Sequence, residues 1–258
     1  MGWIVAETIA LPAGVTLHAL GDTDSTNADA KLLAGEGAPH LTLVTARRQL
    51  AGRGRHGRFW VSPEGNAYWS LLLRPQSDWP APGTLPFVAA LAVRDALAQV
   101  TGAPGRLALK WPNDILLDGK KVCGILIEAS GNQPAGAAPW IVVGIGINVA
   151  HFPSDARYPA TSLHAAGFAG ATREAAIAAL TACFLRRLDR WIGGGYGALK
   201  DDLLVAMTGI GQAITVRRTD NAADDLTGLF EGLDGEGRLM LRTAAGTRLI
   251  TVGDVFLL

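Results

Sequence analysis

Short apolar runs separated by turn-forming residues dominate the first half of the chain. Runs at 41–45, 67–73, 107–111, 122–128 and 140–149 are rich in β-branched and aromatic residues, which predicts five strands. The last two runs are almost continuously apolar, as expected for central strands that are covered on at least one face. These runs therefore predict a sheet with a substantial buried surface.

Two longer segments show the three- and four-residue spacing of apolar positions that is typical of helices. The first covers residues 84–100, with Thr84 as its N-cap and Gly102 at its end. The second covers residues 173–192, with Thr172 as its N-cap, and three consecutive glycines follow it. Both segments are long enough to pack along the predicted sheet.

The pattern changes after about residue 207, where short alternating segments are separated by tight turns. Four such segments predict strands at 212–217, 226–233, 238–242 and 248–250. About fifty residues of short strands favour a small β-barrel. We therefore predict a boundary near residue 206, with one domain at 1–206 and a second at 207–258.

Composition narrows the class of protein. With 258 residues, of which 49% are hydrophobic and 18% charged, the chain is able to bury a core, which excludes general disorder. The 23 basic and 23 acidic residues balance to a formal charge of +0, which argues against a broad basic surface for nucleic acid. Two cysteines, Cys123 and Cys183, are too few for a disulfide framework or a zinc ribbon.

The chain shows no secretory or membrane signal. Its start lacks a basic region and contains an early acidic residue, so no signal peptide is expected. It has no run of about 18 apolar residues, so no membrane span is expected either. Together with the low cysteine content, these features predict a cytoplasmic protein.

The segment from Gly52 to Arg58 alternates three glycines with three arginines around His56. Glycine lets the backbone approach a ligand closely, and arginine pairs with carboxylate or phosphate through two parallel hydrogen bonds. The segment is therefore a candidate anion-binding loop. A flexible basic surface turn or an RNA contact would have the same composition.

Three further segments are candidates for chemistry. Residues 110–114, Lys-Trp-Pro-Asn-Asp, form either a plain turn or a source of oxygen ligands for a metal–nucleotide. Lys121 enters an apolar strand three residues before Gly124; it is either a lysine that reaches into a pocket or, with Lys120, an ordinary solvated residue at the start of a strand. Residues 144–148, Gly-Ile-Gly-Ile-Asn, put glycines inside a strand, which often marks the close approach of a ligand. Ser25 and its two neighbours cap a short helix at 27–33 or bind a polar group.

Taken in order, these segments resemble the biotin protein ligases. The matching stretches are 24–27, 49–60, 110–114, 121–128 and 144–148. The resemblance implies an α+β fold: a mixed β-sheet with flanking helices, of the class II synthetase and biotin–lipoyl ligase type, followed by an SH3-like barrel. The Ser-Thr-Asn motif begins at residue 25, so we expect the monofunctional form without a DNA-binding domain.

The resemblance also implies the reaction and its residues. Biotin and ATP, supplied with Mg²⁺, form biotinyl-5′-AMP, and a lysine of a biotin carboxyl carrier protein domain then takes the biotin. The implied catalytic residues are Lys121, Arg53 and Arg55. The implied biotin-binding residues are Ser25, Thr26, Asn27, Gln49, Gly52, Arg53, Gly54, Arg55, Lys121 and Gly124. The implied ATP- and adenylate-binding residues are Arg53, Arg55, Arg58, Trp60, Lys110, Asn113, Lys121 and Asn148. No metal bound by the protein alone is implied, and a homodimer is compatible with the family.

Elementary chemistry agrees with this reaction. Two anions, a carboxylate and a phosphate, have to be brought together, so fixed cations lower the barrier. No nucleophilic side chain is required, because the carboxylate of the substrate is itself the nucleophile. Two alternatives stay open: a lipoate or octanoate ligase or transferase of the same superfold, and a nucleic-acid-binding module that uses the arginine loop and the barrel.

Overall fold

The computed structural model describes residues 8–54, 57–130, 139–154, 158–217 and 224–257. Seven strands form a mixed sheet in the order β1-β2-β3-β7-β6-β5-β4, in which β1 and β2 are parallel and the other neighbours are antiparallel. The strands are β1 Thr16–Thr23, β2 Thr42–Gln49, β3 Ala67–Leu73, β4 Leu107–Lys110, β5 Asp114–Leu117, β6 Lys120–Ala129 and β7 Ile141–Ile147.

Five further strands form a separate antiparallel sheet in the order β11-β10-β9-β8-β12. They are β8 Ala213–Arg217, β9 Leu226–Leu233, β10 Leu239–Thr243, β11 Gly246–Ile250 and β12 Asp254–Leu257. This arrangement confirms the predicted class of a mixed α+β sheet followed by a small SH3-like unit. The boundary at residue 206 stays a prediction. The last helix ends at Ala206, and β8 begins seven residues later.

Within the described residues, four α-helices complete the fold: α1 Thr26–Gly35, α2 Leu85–Thr101, α3 Arg173–Gly194 and α4 Gly197–Ala206. Helices α2 and α3 pack together against the sheet and contribute many of the buried residues of the main core. The stretch Pro82–Thr101 is long and apolar enough to cross a membrane by length and composition alone. Its apolar residues are accounted for by the core, since ten residues of α2 are buried.

Both predicted helices are confirmed, with details that the pattern did not contain. The Thr172 hydroxyl accepts a hydrogen bond from the Ala175 N–H at 3.1 Å, as an N-cap does. Thr84 precedes α2 but does not cap it through its side chain. Its hydroxyl instead accepts a hydrogen bond from Trp191 Nε1 at 2.9 Å, which ties α2 to α3. The helix α3 continues through two of the three glycines, ends at Gly194 and is capped by Gly195, where φ is 62°.

The strands predicted from apolar runs all occur, but three others and α4 were not predicted. Strand β1 carries polar residues at half of its positions, and β5 is only four residues long. Strand β12 is similarly short. A short or polar strand owes its stability to hydrogen bonds with its neighbours rather than to its own pattern, so its sequence is uninformative.

A β-bulge decides which side chains of β6 face the same way. Ile115 of β5 pairs with Cys123, but the next residue, Leu116, pairs with Lys121, so Val122 is the extra residue. An extra residue reverses the alternation of side chains along a strand. Lys121 and Gly124 are three residues apart and would lie on opposite faces of a regular strand. The bulge puts both on one face.

The second sheet packs against the first through its turn at residues 234–238. Trp111 is 2% exposed, and its Nε1 donates a hydrogen bond to the Gly237 carbonyl at 3.3 Å. Gly237 has a φ of 79°, and a Cβ there would overlap the ring of Phe87. A glycine is therefore required at this position for two reasons, its backbone conformation and its close approach to α2.

We predict that Gly237→Ala lowers the free energy of unfolding by about 1–3 kcal/mol, because it adds both a clash and a strained φ. The matched control is Gly235→Ala in the same turn, where a Cβ meets nothing within 4 Å. Urea unfolding of both variants measures the difference. Equal stabilities would show that the turn adapts to a side chain at either position.

Candidate active site

A cavity of about 370 Å³ collects most of the predicted site residues. It lies over β6 and β7 and is bounded by the start of α1, the end of β2, residues 53–54 and 58–61, three residues between β7 and α3 (Pro153, Tyr158 and Ala160) and one residue of β12. Elements from both sheets therefore meet around a single cavity. Its size suits a small organic ligand.

Three glycines form the floor of this cavity. Gly124 of β6 is paired directly with Gly146 of β7, and Gly144 lies two residues before Gly146. A Cβ on Gly146 would come within 2.5 Å of the Trp60 indole nitrogen, and a Cβ on Gly144 would overlap the Asn27 amide. The absent side chains thus leave room for two larger groups to lie directly on the sheet.

A neutral wall of amide and hydroxyl groups bounds one side of the cavity. The Gln49 Oε1 accepts a hydrogen bond from the Thr26 N–H at 2.9 Å and lies 3.1 Å from the Thr26 hydroxyl. The Gln49 amide nitrogen donates to the Ser62 hydroxyl at 2.9 Å, and Ser62 donates to the Trp60 carbonyl at 2.8 Å. The amide of Gln49 is thereby held in one orientation. Ser25, the N-cap of α1, lines the same wall, and its side chain makes no capping hydrogen bond.

The wall continues through Ser70 to a charged pair outside the lining residues. Ser70 is fully buried, and its Oγ lies 2.7 Å from the Thr26 hydroxyl and 2.6 Å from Asn27 Oδ1. The Asn27 amide nitrogen donates to Glu128 Oε2 at 2.9 Å, and Lys31 donates to Glu128 Oε1 at 2.6 Å. Burial alone would raise the pKa of Glu128, but the hydrogen bonds from Lys31 and Asn27 outweigh it and lower the pKa below its ordinary value.

Cations line another part of the cavity, arranged around Asp114. Lys121 Nζ lies 2.5 Å from Asp114 Oδ1, and Lys110 Nζ lies 3.3 Å from Asp114 Oδ2. Lys110 also lies over the ring of Tyr158, at 4.5 Å from its centre. Asp114 is 8% exposed. One buried carboxylate therefore holds two ammonium groups, that of Lys121 in the cavity wall and that of Lys110 beside it.

The glycine–arginine segment folds over the cavity at both of its described ends. The Gly54 N–H donates to the Arg58 carbonyl at 2.7 Å, and the Trp60 N–H donates to the Gly52 carbonyl at 2.9 Å. A Cβ on Gly52 would come within 2.5 Å of the Trp60 carbonyl oxygen and of the Ser62 hydroxyl. Arg53, Gly54 and Arg58 line the cavity. Arg55 and His56 lie outside the described residues.

The second sheet contributes Asp254 to the same cavity. Arg58 donates to its carboxylate at 2.8 Å, and the Tyr158 hydroxyl donates to it at 3.1 Å. Burial would raise the pKa of Asp254, but Arg58, with smaller effects from Tyr158 and Lys110, outweighs burial and holds the pKa below its ordinary value. The C-terminal unit thus helps to form the cavity, rather than only covering the larger sheet.

The structure brings together residues that are far apart in the chain. Twelve of the fifteen predicted positions line the cavity: Ser25, Thr26, Asn27, Gln49, Arg53, Gly54, Arg58, Trp60, Asn113, Lys121, Gly124 and Asn148. Gly52 and Lys110 lie beside the cavity, where they contact the lining residues Trp60 and Asp114. The fifteenth position, Arg55, lies outside the described residues. Their roles toward a ligand remain predictions.

Several lining residues are not among the fifteen predicted site positions. They include Ser70, Tyr68, Asp114, Tyr158, Asp254, Phe59 and Val61. Asp114 lies within the Lys-Trp-Pro-Asn-Asp segment and Asp254 follows a glycine near the C-terminus, so both had a weak signal in the sequence. Ser70 had none, because it lies inside an apolar strand. Its role depends on which residues the fold places beside it.

Two other features bear on chemistry. Both cysteines are buried, and burial raises the pKa of each thiol. Cys123 is part of the core, as predicted, and a thiol in such surroundings is not a nucleophile. Within the ranges described, no cluster of three or more His, Cys, Asp or Glu side chains could hold a metal ion.

Comparison with known proteins shows which family has this architecture. Residues 22–148 match the model of the biotin/lipoate A/B protein ligase family, and residues 209–258 match the biotin protein ligase C-terminal domain. The chain is 41% identical to the biotin–[acetyl-CoA-carboxylase] ligase of Paracoccus denitrificans over 92% of its own length and 98% of that protein. This chain belongs to the biotin protein ligase family.

Two further relatives agree with the assignment to biotin protein ligases. The biotin–[acetyl-CoA-carboxylase] ligase of Mycobacterium tuberculosis is 33% identical over 93% of this chain and 88% of that protein. The structure of biotin protein ligase from Aquifex aeolicus in complex with biotin and ATP superposes with a TM-score of 0.78. That protein is 30% identical, and the match covers 94% of this chain and 98% of that one. Both sheets of the fold are therefore family features.

We predict that Gly144→Ala lowers the free energy of unfolding by about 1–3 kcal/mol, because the new methyl group overlaps an Asn27 side chain held on two sides. In an Asn27→Ala background the overlap is gone, so the same change should cost much less. Urea unfolding of both single variants and the double variant measures this coupling. Additive losses would contradict the contact.

Proposed function

We propose that this chain activates biotin with ATP to form biotinyl-5′-AMP and then transfers the biotin to a specific lysine of a biotin carboxyl carrier protein domain. The chain is a member of this family, and one observation carries the proposal. A single cavity has a neutral wall of hydrogen-bonding groups on one side and a cluster of cations on another. Biotin has the same two-part character, since its ureido ring is neutral and its carboxylate is charged.

The first step joins two anions. A carboxylate oxygen of biotin attacks the α-phosphorus of Mg-ATP, a new P–O bond forms, and pyrophosphate leaves. Arg53, Arg55 and Lys121 would reduce the repulsion between the two anions and stabilise the charge of the transition state. Asp114 keeps Lys121 in place before the substrates arrive. Asn113, Asn148, Trp60, Arg58 and Lys110 would hold the nucleotide.

The metal ion enters with the nucleotide as part of the substrate. Mg²⁺ neutralises part of the triphosphate charge, and it usually keeps several waters and needs few protein ligands. Asp114 is engaged with two lysines, so the amide oxygens of Asn113 and Asn148 are the better candidates for a role near the ion. This donor set fits a cation that is carried mainly by phosphate oxygens.

The second step is an acyl transfer. The neutral amine of the acceptor lysine attacks the acyl carbon of the adenylate, an amide forms, AMP leaves, and the amine loses a proton to solvent. Exposed apolar residues next to the cavity, Phe59 at 64% exposure and Val61 at 46%, offer a surface on which an acceptor domain would rest. We further propose a cytoplasmic enzyme that acts without DNA or a membrane, with a homodimer compatible with its fold.

Incubation with biotin and Mg-ATP tests the reaction. Pyrophosphate should be released only when biotin is present, and labelled biotin should appear on one lysine of a carrier domain. Equal pyrophosphate release with lipoate would favour the lipoate ligases of the same superfold. Tight, salt-sensitive binding of RNA or DNA without any adenylation would favour a nucleic-acid-binding module.

Lys121 and Lys120 form a matched pair for testing the register of β6. Lys121→Ala should lower the rate of adenylate formation by about 10² or more, as loss of a preorganised cation does. Lys120 is exposed at the end of the strand, so Lys120→Ala should leave the rate nearly normal and change stability by less than about 0.5 kcal/mol. Biotin-dependent pyrophosphate release measures both. A dead Lys120→Ala variant would refute this register.

A further inference from the structure

The polar wall of the cavity is one end of a continuous hydrogen-bond chain that terminates at Glu128. The chain runs from Gln49 through the hydroxyls of Thr26 and Ser70 and the amide of Asn27 to the carboxylate. Each hydroxyl has a single proton and can donate it in only one direction. The chain therefore has two possible directions of donation, and the groups at its ends decide between them.

Glu128 decides the direction. It receives hydrogen bonds from Lys31 on one oxygen and from Asn27 on the other, and Arg53 adds a favourable charge. Its lowered pKa keeps it ionised at neutral pH, so it accepts and never donates. The amide nitrogen of Asn27 must then face Glu128, and its oxygen must face Ser70. The backbone carbonyl of Leu126, 3.4 Å from the same nitrogen, favours this orientation as well.

The orientation of Asn27 fixes the direction of hydrogen-bond donation as far as Gln49 in the cavity wall. Ser70 has to give its proton to Asn27 Oδ1, so at 2.7 Å it can only accept from the Thr26 hydroxyl. Thr26 then has no proton left for Gln49. Among the described residues the Gln49 Oε1 then keeps only the Thr26 N–H as a donor, so it is able to accept one further hydrogen bond from a ligand.

We propose that Glu128 is a positioning residue that makes the neutral wall present hydrogen-bond acceptors, and so selects a ligand whose uncharged end carries N–H donors. This inference rests on the proposed function, because the ureido group of biotin has two such N–H groups. With the opposite direction of donation, Thr26 would fill the second lone pair of Gln49, and one acceptor would be lost.

The Glu128→Gln variant is expected to reverse the direction of donation along this series of hydrogen bonds. A glutamine has one oxygen and one NH2 group, and Lys31 can only donate, so the oxygen turns to Lys31 and the NH2 group turns to Asn27. Asn27 must then flip. Losing one good hydrogen bond to the ligand should weaken biotin binding about tenfold, which corresponds to 1.4 kcal/mol. The KM for ATP should change by less than about twofold, because none of the residues proposed to hold the nucleotide belongs to this hydrogen-bond chain.

Removal of Lys31 separates this role from a merely structural one. Lys31→Met leaves the carboxylate as an acceptor for Asn27, so biotin binding should stay within about threefold of the wild type. In the double variant Glu128→Gln with Lys31→Met, the glutamine is free to turn its oxygen to Asn27. Biotin binding should then recover to within about threefold of Lys31→Met alone.

The measurements are the dissociation constant of biotin by calorimetry and the KM values from pyrophosphate release, with thermal unfolding to confirm that each variant folds. A biotin analogue methylated on a ureido nitrogen extends the test to the ligand. The loss of affinity when this analogue binds Glu128→Gln should be smaller than the sum of the losses caused by the methyl group alone and by the substitution alone. If Glu128→Gln binds biotin like the wild type, or if the double variant is as weak as Glu128→Gln, the inference is wrong. Failure of the wild type to bind biotin at all would instead overturn the proposed function.

Discussion

The site depends on the absence of side chains at three positions of two adjacent strands. Gly124, Gly144 and Gly146 leave the backbone of β6 and β7 bare on one face, and Trp60 and Asn27 lie directly on it. A Cβ at position 144 would overlap the Asn27 amide, which other hydrogen bonds hold, and a Cβ at position 124 or 146 would press on the Trp60 ring. The geometry of the cavity is thus set by steric exclusion on a rigid sheet, which is how small sites are kept preorganised.

Charge is divided within this cavity, and the division follows from how each polar group is satisfied. The amide and hydroxyl groups of the wall are paired with one another, so they cost little to bury and remain oriented. The lysines are paired with one buried carboxylate, Asp114, and Arg58 is paired with Asp254. Cations held in this way are available to incoming anions without reorganisation, which is the basis of electrostatic catalysis.

Both sheets contribute to the same site, so the C-terminal unit has a direct part in it. Asp254 reaches Arg58 and Tyr158 at the cavity, while Trp111 and Gly237 join the sheets at a second point. Two separate contacts restrict the position of one sheet relative to the other more than a single contact would. Arg58, at the end of the glycine–arginine segment, is therefore held directly by the second sheet.

The sequence by itself determined the elements whose signal is local. The two long helices and the apolar strands follow from periodicity, and the motif order around Ser25, Arg53, Lys121 and Gly146 was enough to indicate the family. The extra residue at Val122 was not visible, because a bulge is defined by pairing between strands. Only the tertiary structure decided that Lys121 shares a face with Gly124, that Asp254 enters the cavity, and that Ser70 connects Thr26 to Asn27. Each of these contacts depends on how strands or loops pair in three dimensions. The local sequence around one residue does not specify its partner, so the contact is defined only once the chain has folded.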